Sequence, residues 1–286
     1  MIKNKKVKFG LTIIGFLLLI FQISVLLLSF YKEYYLIYDW MFFAINYLIV
    51  ILLVLLTNEN KGLKWFKLGF ALALFVINST FFYYLGNVNL VISKSPGKQY
   101  EVIIKEYKNM KLETVRLKRR GVIFGKKVET LTGSSSYKAI ESNKYKVQWP
   151  NNEISIFIYS TSKDETLDEK IYSFNESNLV SYVNVLPSLY GKWISQDNPN
   201  NYFMVNLNDI VYAKDNKLYY YSNDEVTQQG ISSIVVNSNT KDKPFFTLVL
   251  NSDSVIGKDD LVNKGGSITI TDITLKDSKG EIFRKS

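Results

Sequence analysis

One stretch constrains this chain more than any other: Gly10–Phe30, reading GLTIIGFLLLIFQISVLLLSF, with no charge and one strongly polar side chain, Gln22. At 1.5 Å rise per residue, about 20 such residues cross a hydrocarbon core about 30 Å thick. Two further apolar runs follow, Trp40–Leu56 and Leu68–Leu85. A backbone immersed in lipid must satisfy its own polar groups, so the expectation is three transmembrane helices within residues 1–87. Four lysines precede the first run, but it exceeds the 7–15 residues of a signal-peptide core and no small-x-small site follows. It is therefore read as a retained anchor.

Lysine placement sets the expected orientation. Lys3, Lys5, Lys6, Lys8, Lys61, Lys64 and Lys67 flank one side of the runs, against Lys32 on the other. Positive residues stay cytoplasmic, which puts the N-terminus inside and everything after about residue 87 outside, in a multi-pass membrane protein. Tyr31, Tyr34, Tyr35, Tyr38 and Trp40 fall at the outer interface, where amphipathic rings are enriched. Gln22, Asn46 and Asn78 lie one in each run. They are read as interhelical hydrogen-bonding groups that fix packing rather than as a polar pathway. No acidic or basic side chain falls inside a run, which argues against ion or proton transport.

The chain has no Cys and no His. That excludes disulfides, thiolate nucleophiles, the Ser-His-Asp triad and every metal site built on those ligands. No catalytic residue, metal ligand or cofactor is expected. A carboxylate-only hydrolase acting on cell-wall polymer remains open on Asp224-Glu225 and Asp259-Asp260, although adjacent acids in loops are ordinary.

After residue 87 the pattern becomes all-β. Residues 88–163 alternate at period two in Asn89–Ser93, Tyr100–Glu106, Glu113–Arg119, Gly121–Lys126, Tyr145–Trp149 and Glu153–Tyr159. Within them, residues 105–127 carry nine basic side chains (Lys105, Lys108, Lys111, Arg116, Lys118, Arg119, Arg120, Lys126, Lys127) against Glu106 and Glu113. So dense a cluster close to the membrane suggests contact with anionic lipid headgroups or an anionic wall polymer, or a solvated hairpin balancing the acidic remainder of the chain. Nucleic acid is not an expected partner outside the cell. Residues 164–188 read as an acidic connector with a short helix at Ser177–Leu186. Residues 189–286 read as eight short strands, a small barrel or sandwich: Lys192–Ser195, Tyr202–Asn208, Ile210–Ala213, Lys217–Tyr221, Gly230–Val236, Phe245–Leu250, Ser267–Leu275 and Glu281–Arg284. A hairpin turn is expected at Asp277–Gly280.

Two resemblances accompany these patterns. Ser95-Pro96-Gly97-Lys98 before Tyr100, the basic middle, Trp149 and the run Ile154-x-Ile156-x-Ile158 resemble small extracytoplasmic domains of Gram-positive membrane proteins whose activity is uncharacterised. Leu189-x-Gly191-x-Trp193, Gly230 and the closing Ile268–Arg284 resemble a lipocalin-like (calycin-type) barrel. The second resemblance implies that Trp193 plugs the barrel base and that Arg284 packs over it as a cation–π partner. The barrel is expected to be filled by side chains, with one small ligand as the alternative. The combined expectation is a non-enzymatic, membrane-anchored binding or interaction module of a bacterial cell envelope, meeting an envelope protein or peptide partner. An immunity, resistance or envelope-stress regulatory role is the alternative.

Overall fold

The computed structural model describes residues 4–56, 61–131, 133–164, 166–174, 184–207, 209–237, 240 and 242–286. An N-terminal helical part is followed by mostly β structure, and the chain divides into two compact units, residues 1–92 with 102–142 and residues 93–101 with 143–286.

In the first unit, α1 (Lys5–Lys32) leads through the three-residue strand β1 (Tyr34–Leu36) into α2 (Trp40–Leu55), and α3 (Lys61–Phe81) ends in a π turn at 82–86. Asn4 caps α1, its side chain accepting from the Lys6 N–H, and Glu33 closes it in the left-handed conformation. The segments 5–32 and 64–86 are long and apolar enough to cross a membrane; α2 is as apolar but has 16 residues, roughly 24 Å. The three polar residues of the apolar runs meet. Gln22 Nε2 donates to Phe42 O at 2.7 Å and to Asn46 Oδ1 at 2.9 Å; Asn46 Nδ2 donates to Asn78 Oδ1 at 3.0 Å, and Asn78 Nδ2 to Phe43 O at 3.2 Å. The ladder fixes α2 against both neighbours.

Strands β2 (Val88–Lys94), β3 (Glu101–Tyr107), β4 (Thr114–Arg120) and β5 (Phe124–Leu131) join β1 in one sheet, in the order β1-β5-β4-β3-β2. Gly121, at φ +79°, opens the β4–β5 turn where the sequence pattern began a strand. Ile37, Ile103 and Leu117 form the core of one face. Beyond β5, Glu106 is buried, and its carboxylate accepts the N–H groups of Ile140 and Glu141 and the Asn89 amide. That binds residues 139–141 to the sheet.

The second unit holds β6 (Tyr145–Gln148), β7 (Ile154–Ser160) and β8 (Leu167–Ser173) as a three-stranded sheet, then α4 (Val185–Ser188). The acidic connector is thus partly a strand: Glu169 and Ile171 turn inward while Asp168 and Lys170 are only partly covered. The helix expected at Ser177–Leu186 lies mostly outside the described residues, and α4 occupies its C-terminal end. Nine strands follow: β9 (Gly191–Ser195), β10 (Tyr202–Val205), β11 (Ile210–Lys214), β12 (Lys217–Tyr221), β13 (Val226–Gln228), β14 (Ser233–Val236), β15 (Phe246–Leu250), β16 (Ser267–Asp272) and β17 (Glu281–Lys285). They form one antiparallel sheet ordered β12-β11-β10-β9-β17-β16-β15-β14-β13, a half-barrel whose first and last strands pair and whose edges are β12 and β13. Eight of the nine coincide with expected runs; β13 is additional. The link between β16 and β17 spans residues 273–280, longer than a tight hairpin.

The half-barrel curls around a filled core. Tyr212 and Phe246 lie 4.8 Å apart between ring centroids, and Phe203, Tyr221 and Phe283 complete the aromatic cluster. All five rings are buried. Ile154, Ile156 and Ile158 of β7 pack on Val235, Val249 and Ile273, which draws β6–β8 into the same unit. The units therefore cut across the boundaries read at 87, 163 and 188. Pairing of β1 with β5 draws β2–β5 to the helices, and the isoleucine face of β7 draws β6–β8 to the half-barrel.

Candidate interaction surface

The basic segment 105–127 lies in β3, β4 and β5 with their connections, and pairing with β1 decides its placement. β1 is the middle of the seven-residue link 33–39 between α1 and α2. It takes a place in the sheet: Tyr34 opposes Lys126, Tyr35 opposes Gly125 and Leu36 opposes Phe124. The Ile37 N–H donates to Ile123 O at 2.8 Å and the Lys127 N–H to Glu33 O at 2.9 Å. The far end of α3 touches the same sheet, where Asn109 Nδ2 donates to Tyr83 O at 2.7 Å and the Lys108 N–H to Asn87 O at 3.2 Å.

The nine cations do not share one environment. Lys105 is buried: its ammonium donates to Asp39 Oδ2 at 2.8 Å and to Leu36 O at 2.7 Å. It is therefore an internal tie between β3 and the foot of α2 and cannot join an anionic contact, which corrects its place among the surface cations. Burial pushes its ammonium below the usual lysine range and pushes the Asp39 carboxyl above the usual aspartate range; their mutual attraction opposes both shifts. Above the pair, Tyr35, Val115, Leu117, Lys127 and Thr130 help line a pocket of about 290 Å³. Glu113 lies at its edge; burial raises its carboxyl, but the Gly133 and Ser135 N–H groups and the Ser134 hydroxyl, all donating to it, together hold it below the usual range.

Lys118 and Lys126 are exposed and stand directly opposite each other across β4 and β5, with Tyr34 next in the row. Arg120 and Lys111 are exposed as well. Arg119, partly covered, donates to Val122 O at 3.0 Å, and Arg116 opposes Glu129. Lys108 and Lys127 are partly covered. Like charges directly opposite on one face destabilise a sheet by up to about 1 kcal/mol unless an anion lies between or over them.

In the half-barrel, Trp193 is fully buried and its Nε1–H donates to Leu189 O at 2.7 Å. The cation over its ring is Lys285, with Nζ 5.7 Å from the centroid, and not Arg284. The reason is strand parity. Phe283 points into the core, so Lys285 shares its face and opposes Trp193, while Arg284 is exposed and opposes Ile194. Lys285 Nζ also donates to Val262 O at 2.6 Å, and burial lowers its pKa. Asp224 and Glu225 lie in the 3-10 turn Asn223–Glu225, and Glu225 is paired with Lys243 at 3.1 Å, so that acidic pair is not an open dyad; Asp259 and Asp260 lie in a loop. No known family model, curated protein or solved structure matches this chain.

Proposed function

We propose that this chain is a membrane-anchored, non-enzymatic binding module of a bacterial cell envelope, with three spans, the N-terminus inside and the β units outside. In this reading the hairpin of β4 and β5 meets anionic lipid headgroups or an anionic wall polymer. The observation that carries it is the exposed Lys118–Lys126 row on a sheet whose edge strand is the link between two apolar helices. Such a sheet has its cations at headgroup depth, where each is worth about 1 kcal/mol against an anionic surface.

Support for three crossings comes from the same sheet. It touches both the α1–α2 link and the end of α3, an arrangement in keeping with α2 running back between them. The polar ladder through Gln22, Asn46 and Asn78 is in keeping with a bundle that includes α2. Pairing of the first and last strands and the buried Trp193 under a cation support the lipocalin-like reading of the half-barrel.

The absence of Cys in the sequence makes the test simple. Val122→Cys, at the exposed β4–β5 turn, should react with a membrane-impermeant maleimide on intact cells, and Lys67→Cys only after permeabilisation. A fluorophore at Val122→Cys, in nanodiscs with one-third anionic lipid, should report a salt-sensitive environment that K118Q/R120Q/K126Q abolishes. Labelling with the opposite sidedness overturns the topology; indifference to lipid charge overturns the hairpin's role.

A further inference from the structure

A second site lies in the other unit, on the face of β6. Lys146, Gln148, Trp149, Thr271, Ser278 and Gly280 line a groove of about 710 Å³ between β6 and the β16–β17 link. Its polar groups are only half satisfied. Gln148 Nε2 donates to Ser278 Oγ at 2.7 Å, but Gln148 Oε1 has no hydrogen-bond partner among the described residues. Thr271 Oγ1 has none either. Both side chains are more than nine-tenths buried, at 7% and 2% exposure. Buried polar groups are nearly always paired, so two orphans lining one groove call for a partner.

The geometry states what that partner looks like. A carboxamide presents one donor and one acceptor side by side, and Ser278 answers only the donor. Two adjacent hydroxyls answer both, one accepting from Nε2 and its neighbour donating to Oε1. Gly280 lies close over Thr271, and only a glycine fits there: a Cβ would sit 2.9 Å from the Thr271 hydroxyl and 2.5 Å from Thr269 Cγ2, so the link must move aside before a ligand hydroxyl reaches Thr271. The segment that covers the orphans is lightly held. Residues 276, 277, 279 and 280 are exposed, Lys146 donates to Lys276 O, and the Lys146–Asp277 pair at 3.8 Å involves a fully solvated carboxylate. One wall is a rigid aromatic. Trp149 stacks on Phe174 at 5.5 Å between centroids, Phe174 stacks on Tyr100 at 5.2 Å, and Trp149 Nε1 donates to Ser93 Oγ at 2.9 Å. A fixed indole beside a donor–acceptor amide suits the apolar face and vicinal diol of a sugar ring.

We propose that this groove binds a saccharide, whose vicinal diol displaces Ser278 from Gln148 while a further hydroxyl pairs with Thr271. An extended peptide fits less well. Strand addition works through main-chain bonds at a sheet edge, whereas the unsatisfied groups here are side chains, Gln148 of β6 and Thr271 of β16. The inference goes beyond the membrane reading and does not depend on the basic hairpin.

The test uses the full chain in nanodiscs, free of glycoside detergent, titrated with chitotetraose and maltotetraose and followed by tryptophan fluorescence. Saturable binding to at least one is expected. Gln148→Leu and Thr271→Val should each weaken it tenfold or more with melting temperatures retained. Ser278→Ala, which removes the internal competitor, should tighten binding several-fold, an outcome no merely structural role for Gln148 produces. K118Q/R120Q/K126Q should bind saccharide as the unaltered chain does. Absence of binding to either sugar, binding unchanged in Gln148→Leu, or capture of an extended oligoalanine peptide in place of the sugars would overturn the proposal.

Discussion

Consider replacing Lys105 with methionine. The side chain keeps its length and its apolar contacts but loses the ammonium that bridges Asp39 Oδ2 and Leu36 O. Asp39 then stands as an uncompensated carboxylate at the start of α2, with 18% of its side chain exposed. Removing one member of a buried pair costs about 3–5 kcal/mol. The partial access of Asp39 to water places this case at the lower end, about 3 kcal/mol. At about 2–4 °C per kcal/mol, the melting temperature of the first unit should fall by roughly 6–12 °C. Asp39→Asn is milder, because Leu36 O and the new amide oxygen still accept from Lys105, and about 1.5–3 kcal/mol is expected. The double variant Lys105→Met with Asp39→Asn removes both charges together and should recover to within about 1 kcal/mol of the unaltered chain.

Thermal unfolding of the full chain in micelles, followed by tryptophan fluorescence, provides the cycle. The first unit carries Trp40 and Trp65 and the second Trp149 and Trp193, so Trp→Phe backgrounds separate the two transitions. The coupling energy should be at least about 2 kcal/mol and favourable. If Lys105→Met costs under about 1 kcal/mol, or the double variant falls by the sum of the singles, the buried tie is not what holds β3 to the foot of α2. Loss of anionic-lipid sensitivity in Lys105→Met without loss of stability would return Lys105 to the surface cluster.

Further outcomes follow from other sites. Burial, with Asp168 adding to it, raises the Glu169 carboxyl to about 7, although Gln229 donates to it at 2.7 Å. The folded state then holds a proton that the unfolded state releases between pH 4.5 and 7. Stability of the second unit should rise by up to about 3 kcal/mol as pH falls through that window and be lost as pH rises through 7, and Glu169→Gln should flatten the profile. Asn46→Leu breaks two rungs of the interhelical ladder and should cost about 1–3 kcal/mol, read as lower resistance to unfolding in a denaturing detergent. Trp193→Ala should cost about 3–5 kcal/mol by thermal melting. Lys285→Met should cost about 0.5–2 kcal/mol while Arg284→Met stays within about 0.5, which separates the ring's partner from its neighbour.

What the sequence made legible is what depends on neighbours along the chain. The apolar runs announce helices, and Gln22, Asn46 and Asn78 announce their own pairing, because a lone amide in such a run must find another. Alternation located most of the strands. Legibility ended where a residue's role depends on a partner far away. Tyr34 and Tyr35 read as interfacial aromatics, since the strand that pairs with Tyr34–Leu36 begins 88 residues after its end, at Phe124. Three consecutive charges, Asp168, Glu169 and Lys170, masked the strand that Leu167 and Ile171 mark. Arg284 could have been set aside by parity alone: with Phe283 inside, the next inward position is 285. Gln148 and Thr271 carried no signal, because an unmet hydrogen bond is a property of packing rather than of composition.

The cations make the physical point. Nine of them within 23 residues look like one patch when charge is summed along the chain. Folding sorts them by what faces them. Lys105 meets a carboxylate 66 residues earlier and becomes internal, whereas Lys118 and Lys126 meet each other and stay outside. A buried pair must be tightly matched to offset its desolvation, so it serves to locate β3 on the helices. An opposed pair of lysines does the reverse: it leaves a local cost in the isolated protein that an anion removes. Binding energy at such a surface therefore includes relief of that repulsion. It follows that Lys118→Gln alone should stabilise the free sheet slightly while weakening its anionic contact, a trade that a purely solvated hairpin would not show.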